Sequence, residues 1–219
     1  MFVYFLLEDM SSGVLIDVLM KKFKARYPDA EYKSRSFKGL GGFTKKNTVK
    51  ETKTGKLLND LSTYLRAFDK TLQYQPDAAV FVVLDNDDND ATAFRARLEK
   101  VAADNNITVD HVFCIAIEEV EAWLLGDREA LQKAAYPTAK MQKMKDYKQD
   151  SICGTWEVLA DVVYPKGIKQ FKKDFPTFME VGKKKSEWAK QIGQYMVPEH
   201  NISPSFQFFW GELTKRAVS

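Results

Sequence analysis

The stretch Val80-Phe81-Val82-Val83-Leu84-Asp85-Asn86-Asp87-Asp88-Asn89-Asp90 decides the fold. An apolar, β-branched run stops abruptly in a group of carboxylates. A strand of this composition is buried on both faces, as in parallel sheets covered by helices. The C-terminal ends of such strands are where open α/β sheets place their ligands. Asp85, Asp87, Asp88 and Asp90 repel one another unless a cation or a basic partner neutralises them. A hard, oxygen-seeking cation suits that chemistry, with Mg²⁺ the first choice and Mn²⁺ the alternative.

Working outward, the pattern alternates strand and helix. Residues 2–7 read as a first strand. Val14, Leu15, Val18, Leu19 and Phe23 fall at helical spacing within 12–26, with Ser11 or Ser12 as the N-cap. Residues 31–37 alternate as a second strand, and 38–54, rich in Gly, Lys and Thr, read as a loop. A helix is expected over 55–71, the third strand over 79–84, a helix over 91–104 and a fourth strand over 111–117. A further helix is expected from near Glu118 through Trp123-Leu124-Leu125 to Gly126. This order predicts an α/β fold: a mainly parallel, Rossmann-like sheet with right-handed crossovers, flanked by helices.

After Asp127 the pattern changes. No strand is expected there, and prolines punctuate short helical segments, the last of them the aromatic Pro204 to Arg216. At 219 residues the chain has room for one large domain, or a domain with an appendage. The division expected is an α/β domain over 1–130 and a helical cap or subdomain over 131–219, packed on it. Residues 1–130 hold 18 basic and 21 acidic side chains, a net −3, whereas 131–219 hold 15 and 9, a net +6. An acidic site followed by a basic region suits a polyanionic substrate. A solvated lysine-rich helical surface has the same composition.

No apolar run reaches the roughly 18 residues of a membrane span. The apolar N-terminus lacks a basic leader and a small-residue cleavage site, so it reads as a strand and not as a signal peptide. Cys114 and Cys153 are far apart in the chain and have no His at ligand-like spacing, which argues against zinc and for reduced thiols in a cytoplasmic protein.

Acids stand at the ends of three expected strands: Glu8, then Asp85 and Asp87, then Glu118 and Glu121. Asp85 and Asp87 would share a side in an extended segment. Glu118 and Glu121 would be neighbours on a helix. With the first strand beside the third, Glu8 joins the aspartates in a cluster for one or two divalent cations, able to activate water in phosphodiester cleavage. Asp88 and Asp90 read as N-cap and first-turn residues of the next helix, Glu119 as solvated, and Trp123 to Leu125 as core. Lys45, Lys46, Lys50, Lys53 and Lys56, in or beside the Gly-rich loop, are placed to touch phosphates, although a basic surface loop has the same composition.

Other motifs fail on spacing. An EF-hand starting at Asp85 needs Gly where Asp90 stands and Glu where Ala96 stands. Neither Gly39-Leu40-Gly41-Gly42 nor Thr54-Gly55-Lys56 makes a P-loop. A receiver domain is disfavoured by the long separation of Glu8 from Asp85. An Asp-x-Asp sugar-nucleotide site after a hydrophobic strand does fit the spacing and stays open, but it would leave Glu8, Glu118 and Glu121 without a role.

Leu7-Glu8 and Leu84-Asp85-Asn86-Asp87 resemble the Toprim domain of topoisomerases, primases and OLD-type nucleases. More specifically, the chain resembles a family of uncharacterised Toprim-like prokaryotic proteins often encoded beside ATPases. The residues carrying this are Ile115 through Asp127, Gly55-Lys56-Leu57-Leu58 and Ser203-Pro204-Ser205-Phe206. The resemblance implies that Glu8 is a general acid/base or metal ligand, that Asp85 and Asp87 bind metal, and that Glu118 and Glu121 are further acids of the site. It also implies a nuclease acting on DNA or RNA, an effector in phage defence with an ATPase partner. Asp9 stands where Gly is common in that family, and no nucleophilic tyrosine is identifiable, so hydrolysis is expected and not transesterification. The second possibility is a non-catalytic Toprim-like module that binds an ATPase or nucleic acid, anchored by Phe206 to Trp210 unless those rings fill the core. A homodimer is compatible with either.

Overall fold

The computed structural model describes residues 1–42 and 55–218. Lys45, Lys46, Lys50 and Lys53 lie outside the described residues. Four strands, β1 (Phe2–Leu7), β2 (Glu31–Ser36), β3 (Ala78–Asp85) and β4 (Asp110–Ala116), form one parallel sheet in the order β2-β1-β3-β4. Helices α1 (Met10–Arg26), α2 (Leu57–Leu72) and α3 (Ala91–Asp104) connect them.

The period of two explains the layers. Ala79, Phe81 and Val83 of β3 face one core with Val3, Phe5 and Leu7 of β1, while Val80, Val82 and Leu84 face a second core with Leu6. Every residue of β3 is therefore buried. The second core is closed by α2 and α3 through Leu61, Leu65, Phe94 and Leu98. At the edge, β2 is polar and mostly exposed, and charges such as Lys33 and Arg35 discourage pairing with another chain.

The first core is closed by α1 and by everything after β4. This C-terminal region comprises α4 (Glu121–Gly126), α5 (Arg128–Ala134), α6 (Thr155–Val163), α7 (Gly167–Asp174), α8 (Phe178–Gly193) and α9 (Pro204–Val218). Trp123, Phe171, Trp188, Phe206 and Phe209 share one hydrophobic cluster with Phe5 and Phe81 of the sheet. Trp123 stacks on Phe209 at 5.0 Å and donates its indole N–H to Ser205 Oγ at 2.9 Å. Of the C-terminal aromatics, Phe209 and Trp210 are buried and only Phe208 is 40% exposed, so most of the ring surface offered as an interface anchor is core.

Several boundaries differ from expectation for identifiable reasons. The N-cap of α1 is Asp9 and neither Ser11 nor Ser12: its carboxylate accepts the Ser12 N–H at 2.8 Å and both serine hydroxyls at 2.7 Å. The helix expected from Glu118 begins at Glu121, because Glu118 has φ +60°, outside the helical region. Asp87 does not continue the alternation of β3. The strand ends at Asp85, and Asp87 turns with φ +48°. Of the two aspartates expected at the helix start, Asp90 is the N-cap of α3, accepting the Ala93 N–H at 2.7 Å, whereas Asp88 lies in the turn before it.

Candidate functional site

The strand order reverses direction between β1 and β3, since the chain moves from β1 outward to β2 and then back to β3 on the other side. Open parallel sheets bind ligands at the carboxyl ends of the strands flanking such a switch point. Here those ends carry Glu8 and Asp85. Residue 8 extends the pairing, its N–H donating to Val83 O at 3.1 Å, and Glu8 Oε2 accepts the Asp85 N–H at 2.9 Å. The two acids are thus fixed against each other by the register of the sheet.

Around them opens a cleft of about 860 Å³ lined by Glu8, Asp9, Asp85, Asp87, Glu119 and Lys185 among others. Burial pushes Glu8 up to about 7, opposed by the Asp85 N–H and reinforced by Asp87 and Asp9. Asp85 is pushed well above the ordinary carboxylate range by burial and then by Glu8, and its Oδ1 is buried without a hydrogen-bond partner. Asp87, nearer the surface, is raised by partial burial and by Asp88.

Lys185 sits among these acids. It projects from α8, with Nζ 3.0 Å from Glu121 Oε2 and 3.3 Å from Glu119 Oε1. Burial alone would lower its ammonium, but Glu121, Glu119 and Asp85 outweigh that and hold it above its ordinary value. Glu121 is fully buried, and neither of its oxygens receives a well-directed hydrogen bond, so its contact with Lys185 is one of charge. Glu119, expected in solvent, is largely buried. Desolvation and the neighbouring Glu121 push it up to about 7 against the pull of Lys185.

Glu118 is placed elsewhere. It does not line the cleft. Its carboxylate accepts backbone N–H groups from Cys153 at 3.0 Å, Gly154 at 2.8 Å and Thr155 at 2.8 Å, together with the Thr155 hydroxyl. Gly154, at φ +81°, turns its N–H toward that carboxylate, a backbone state that favours glycine. Partial burial works against the charge of Glu118, but these donors win and lower its pKa. Its role is to tie the end of β4 to the start of α6. Asn86 completes the turn: its Oδ1 accepts the Glu118 N–H at 2.6 Å.

Lys56 precedes α2, and a Cβ built on Gly39, itself at the cleft, would lie 3.3 Å from Lys56 Nζ. Of the acids named from sequence, the structure brings Glu8, Asp85 and Asp87 to the cleft, sets Glu121 behind Lys185, and removes Glu118. Sequence reasoning missed Lys185 and Glu119. Lys185 hides in the run Lys183-Lys184-Lys185, but it stands three and four residues before the buried Trp188 and Ala189, on the inward face of α8.

Among the described residues, no three His, Cys, Asp or Glu side chains are arranged to hold a metal ion by themselves. Mg²⁺ does not require that: it commonly binds through one or two carboxylates and fills its other positions with waters and substrate phosphate. The unpartnered, buried Asp85 Oδ1 beside Glu8 and Asp87 fits a cation held in this way.

Residues 35–214 match the family described as Domain of unknown function (DUF4276). No curated protein and no solved structure matches the chain. Among the described residues no helix is long and apolar enough to cross a membrane.

Proposed function

We propose that this chain, which belongs to the DUF4276 family, is a divalent-metal-dependent phosphodiesterase acting on nucleic acid. The observation that carries the reading is the pairing of Glu8 with Asp85 at the switch point, with Asp85 Oδ1 buried and unpartnered. Glu8, Asp85 and Asp87 would hold Mg²⁺ or Mn²⁺, which supplies Lewis acidity and lowers the pKa of water. Without a cation, burial pushes Glu8 up to about 7, and a bound cation would draw it down again, so Glu8 would serve the loaded site as a ligand. Lys185 brings a fixed positive charge to the same cleft, beside carboxylates that would repel a phosphate group. The resemblance of Leu7-Glu8 and Leu84 to Asp87 to Toprim domains supports the same assignment, and a partner ATPase belongs to that resemblance alone.

The test is direct. Purified protein is incubated with plasmid, single-stranded DNA and tRNA, with Mg²⁺, with Mn²⁺ and with chelator. Metal-dependent cleavage is expected, and Glu8→Ala and Asp85→Ala should abolish it. Cleavage that survives both substitutions would come from a contaminant and would remove the basis of the assignment.

A further inference from the structure

The cleft has two unlike ends. One is the acidic centre. The other is an aromatic wall made by Trp156 of α6, Phe175 and Phe178. Trp156 and Phe175 are half-buried, and Phe175 is fixed against Phe171 at 4.9 Å. Phe178 is different: it is 98% exposed at the first position of α8. Phe178 does not stand singly: it lines the same cleft as Phe175 and Trp156, so the rim carries a cluster of rings, and an exposed apolar cluster of that kind marks a binding groove. Phe178, Val181 and Lys185 are spaced i, i+3 and i+7, so one face of α8 carries the aromatic rim and the buried ammonium about 10 Å apart along the axis.

The chemistry of the lining narrows the occupant. Lys172 Nζ lies 5.3 Å from the Trp156 ring centre, and Lys38 and Lys185 line the same cleft. Aromatic faces with interleaved lysines match a ligand that alternates flat rings with phosphates. The rings must also be accessible. In a duplex the base faces are covered by their neighbours, whereas a single strand can splay a base onto an aromatic side chain. A cleft of about 860 Å³ accommodates a nucleotide or two.

We propose that this cleft binds single-stranded nucleic acid, laying an unstacked base against Phe178 and Trp156 and carrying the adjoining phosphate to Lys185 and the acidic centre. The assignment of a reaction at that phosphate rests on the phosphodiesterase reading, but the binding mode does not.

Fluorescein-labelled oligo(dT), oligo(U) and a hairpin duplex of equal length are titrated with the full chain in millimolar Ca²⁺, and anisotropy is read. Tighter binding of the single strands is expected. Phe178→Ala should weaken it about tenfold, the loss of one stacked base, while Phe178→Tyr retains it and hairpin binding does not change. Because Phe178 is almost wholly exposed, the variants should fold, and circular dichroism checks this. Equal affinity for the two forms, or a neutral Phe178→Ala, overturns the proposal. Phe178-dependent binding without cleavage in Mg²⁺ upholds it and refutes only the phosphodiesterase reading. Cleavage of hairpin and single strand alike, indifferent to Phe178, overturns the single-strand assignment and leaves the hydrolytic one standing.

Discussion

Lys185→Met is the most searching perturbation of this molecule, because it removes the one ammonium that, among the described residues, is set among the buried acids, and keeps most of the volume of the stem. Glu121 is fully buried and Lys185 has a side chain only 14% exposed. Breaking a buried pair by deleting one partner costs about 3–5 kcal/mol, since the other charge is left without compensation. The carboxylate has an escape, which is to bind a proton. At pH 7, keeping Glu121 neutral against its ordinary value of 4.5 costs about 3.4 kcal/mol, at roughly 1.4 kcal/mol per pH unit. Glu121 is already raised beside Lys185, so that figure is a ceiling: the expected penalty is at most about 3 kcal/mol, and it depends on pH. In the variant the native chain binds a proton that the unfolded chain releases above pH 4.5, so stability falls as pH rises. Near pH 5 the penalty should shrink to below about 1 kcal/mol.

Urea unfolding at several values between pH 5 and 8, compared through midpoints at a shared slope, reads this. Adding Glu121→Gln to Lys185→Met should recover most of the loss at pH 7, because the buried charge is gone. A penalty independent of pH, or a double variant no more stable than the single one, would refute the claim that Lys185 acts as a counter-charge and would leave only lost packing.

Glu8 and Glu119 are both pushed up to about 7, so the metal-free chain should lose stability as pH rises from 4.5 through 7, and millimolar Mg²⁺ should restore part of it at pH 8; melting profiles with and without Mg²⁺ check this, and identical profiles would count against a cation at the cleft. Glu118→Gln should lower stability by about 1–2 kcal/mol, allowing for its partial exposure, without changing the Mg²⁺ dependence of cleavage, because its hydrogen bonds go to the 153–155 backbone; a shifted Mg²⁺ requirement would return it to the site. Gly126→Ala places a Cβ 2.1 Å from Asn201 Oδ1, whose amide donates to Trp123 O at 2.8 Å in the core; a loss of about 1–3 kcal/mol in urea unfolding is expected, and a neutral effect would show that this contact yields easily.

The sheet was legible because its signal is local. The run 79–84 can be so apolar only in a strand covered on both sides, and its odd and even residues do separate into two cores. Glu8 and Asp85 were legible because strand ends are readable and parallel neighbours bring those ends level. The acids after β4 were not. Glu118, Glu119 and Glu121 are equivalent by composition. What separates them is the left-handed turn at Glu118, which sends that side chain to the 153–155 backbone and leaves Glu119 and Glu121 to face Lys185. That turn depends on Asn86, a residue 32 positions away in the chain, and no local pattern announces it. Lys185 was obscured for a different reason. A lysine run ordinarily reads as a solvated face, and only the phase of Trp188 and Ala189 on the same helix shows that one of the lysines points inward.

Charge counting links the two halves of the chain. Asp85 and Glu121 are buried, Glu8 and Glu119 are partly so, and among the described residues Lys185 is the ammonium that contacts this group. Burial drives all four carboxylates upward, and one positive charge is not enough to offset it. The remaining imbalance is met either by protons or by a second cation, and the two compete at the same oxygens. Lys185 reaches the cleft from α8, with Glu121 of α4 against it, while Asp85 and Asp87 come from the sheet side. The sheet alone would therefore assemble an acidic switch point with no fixed counter-charge. It is the packing of α8 against α1 that brings Lys185 to it, so a substitution loosening that contact should disturb the site without touching any acid in it.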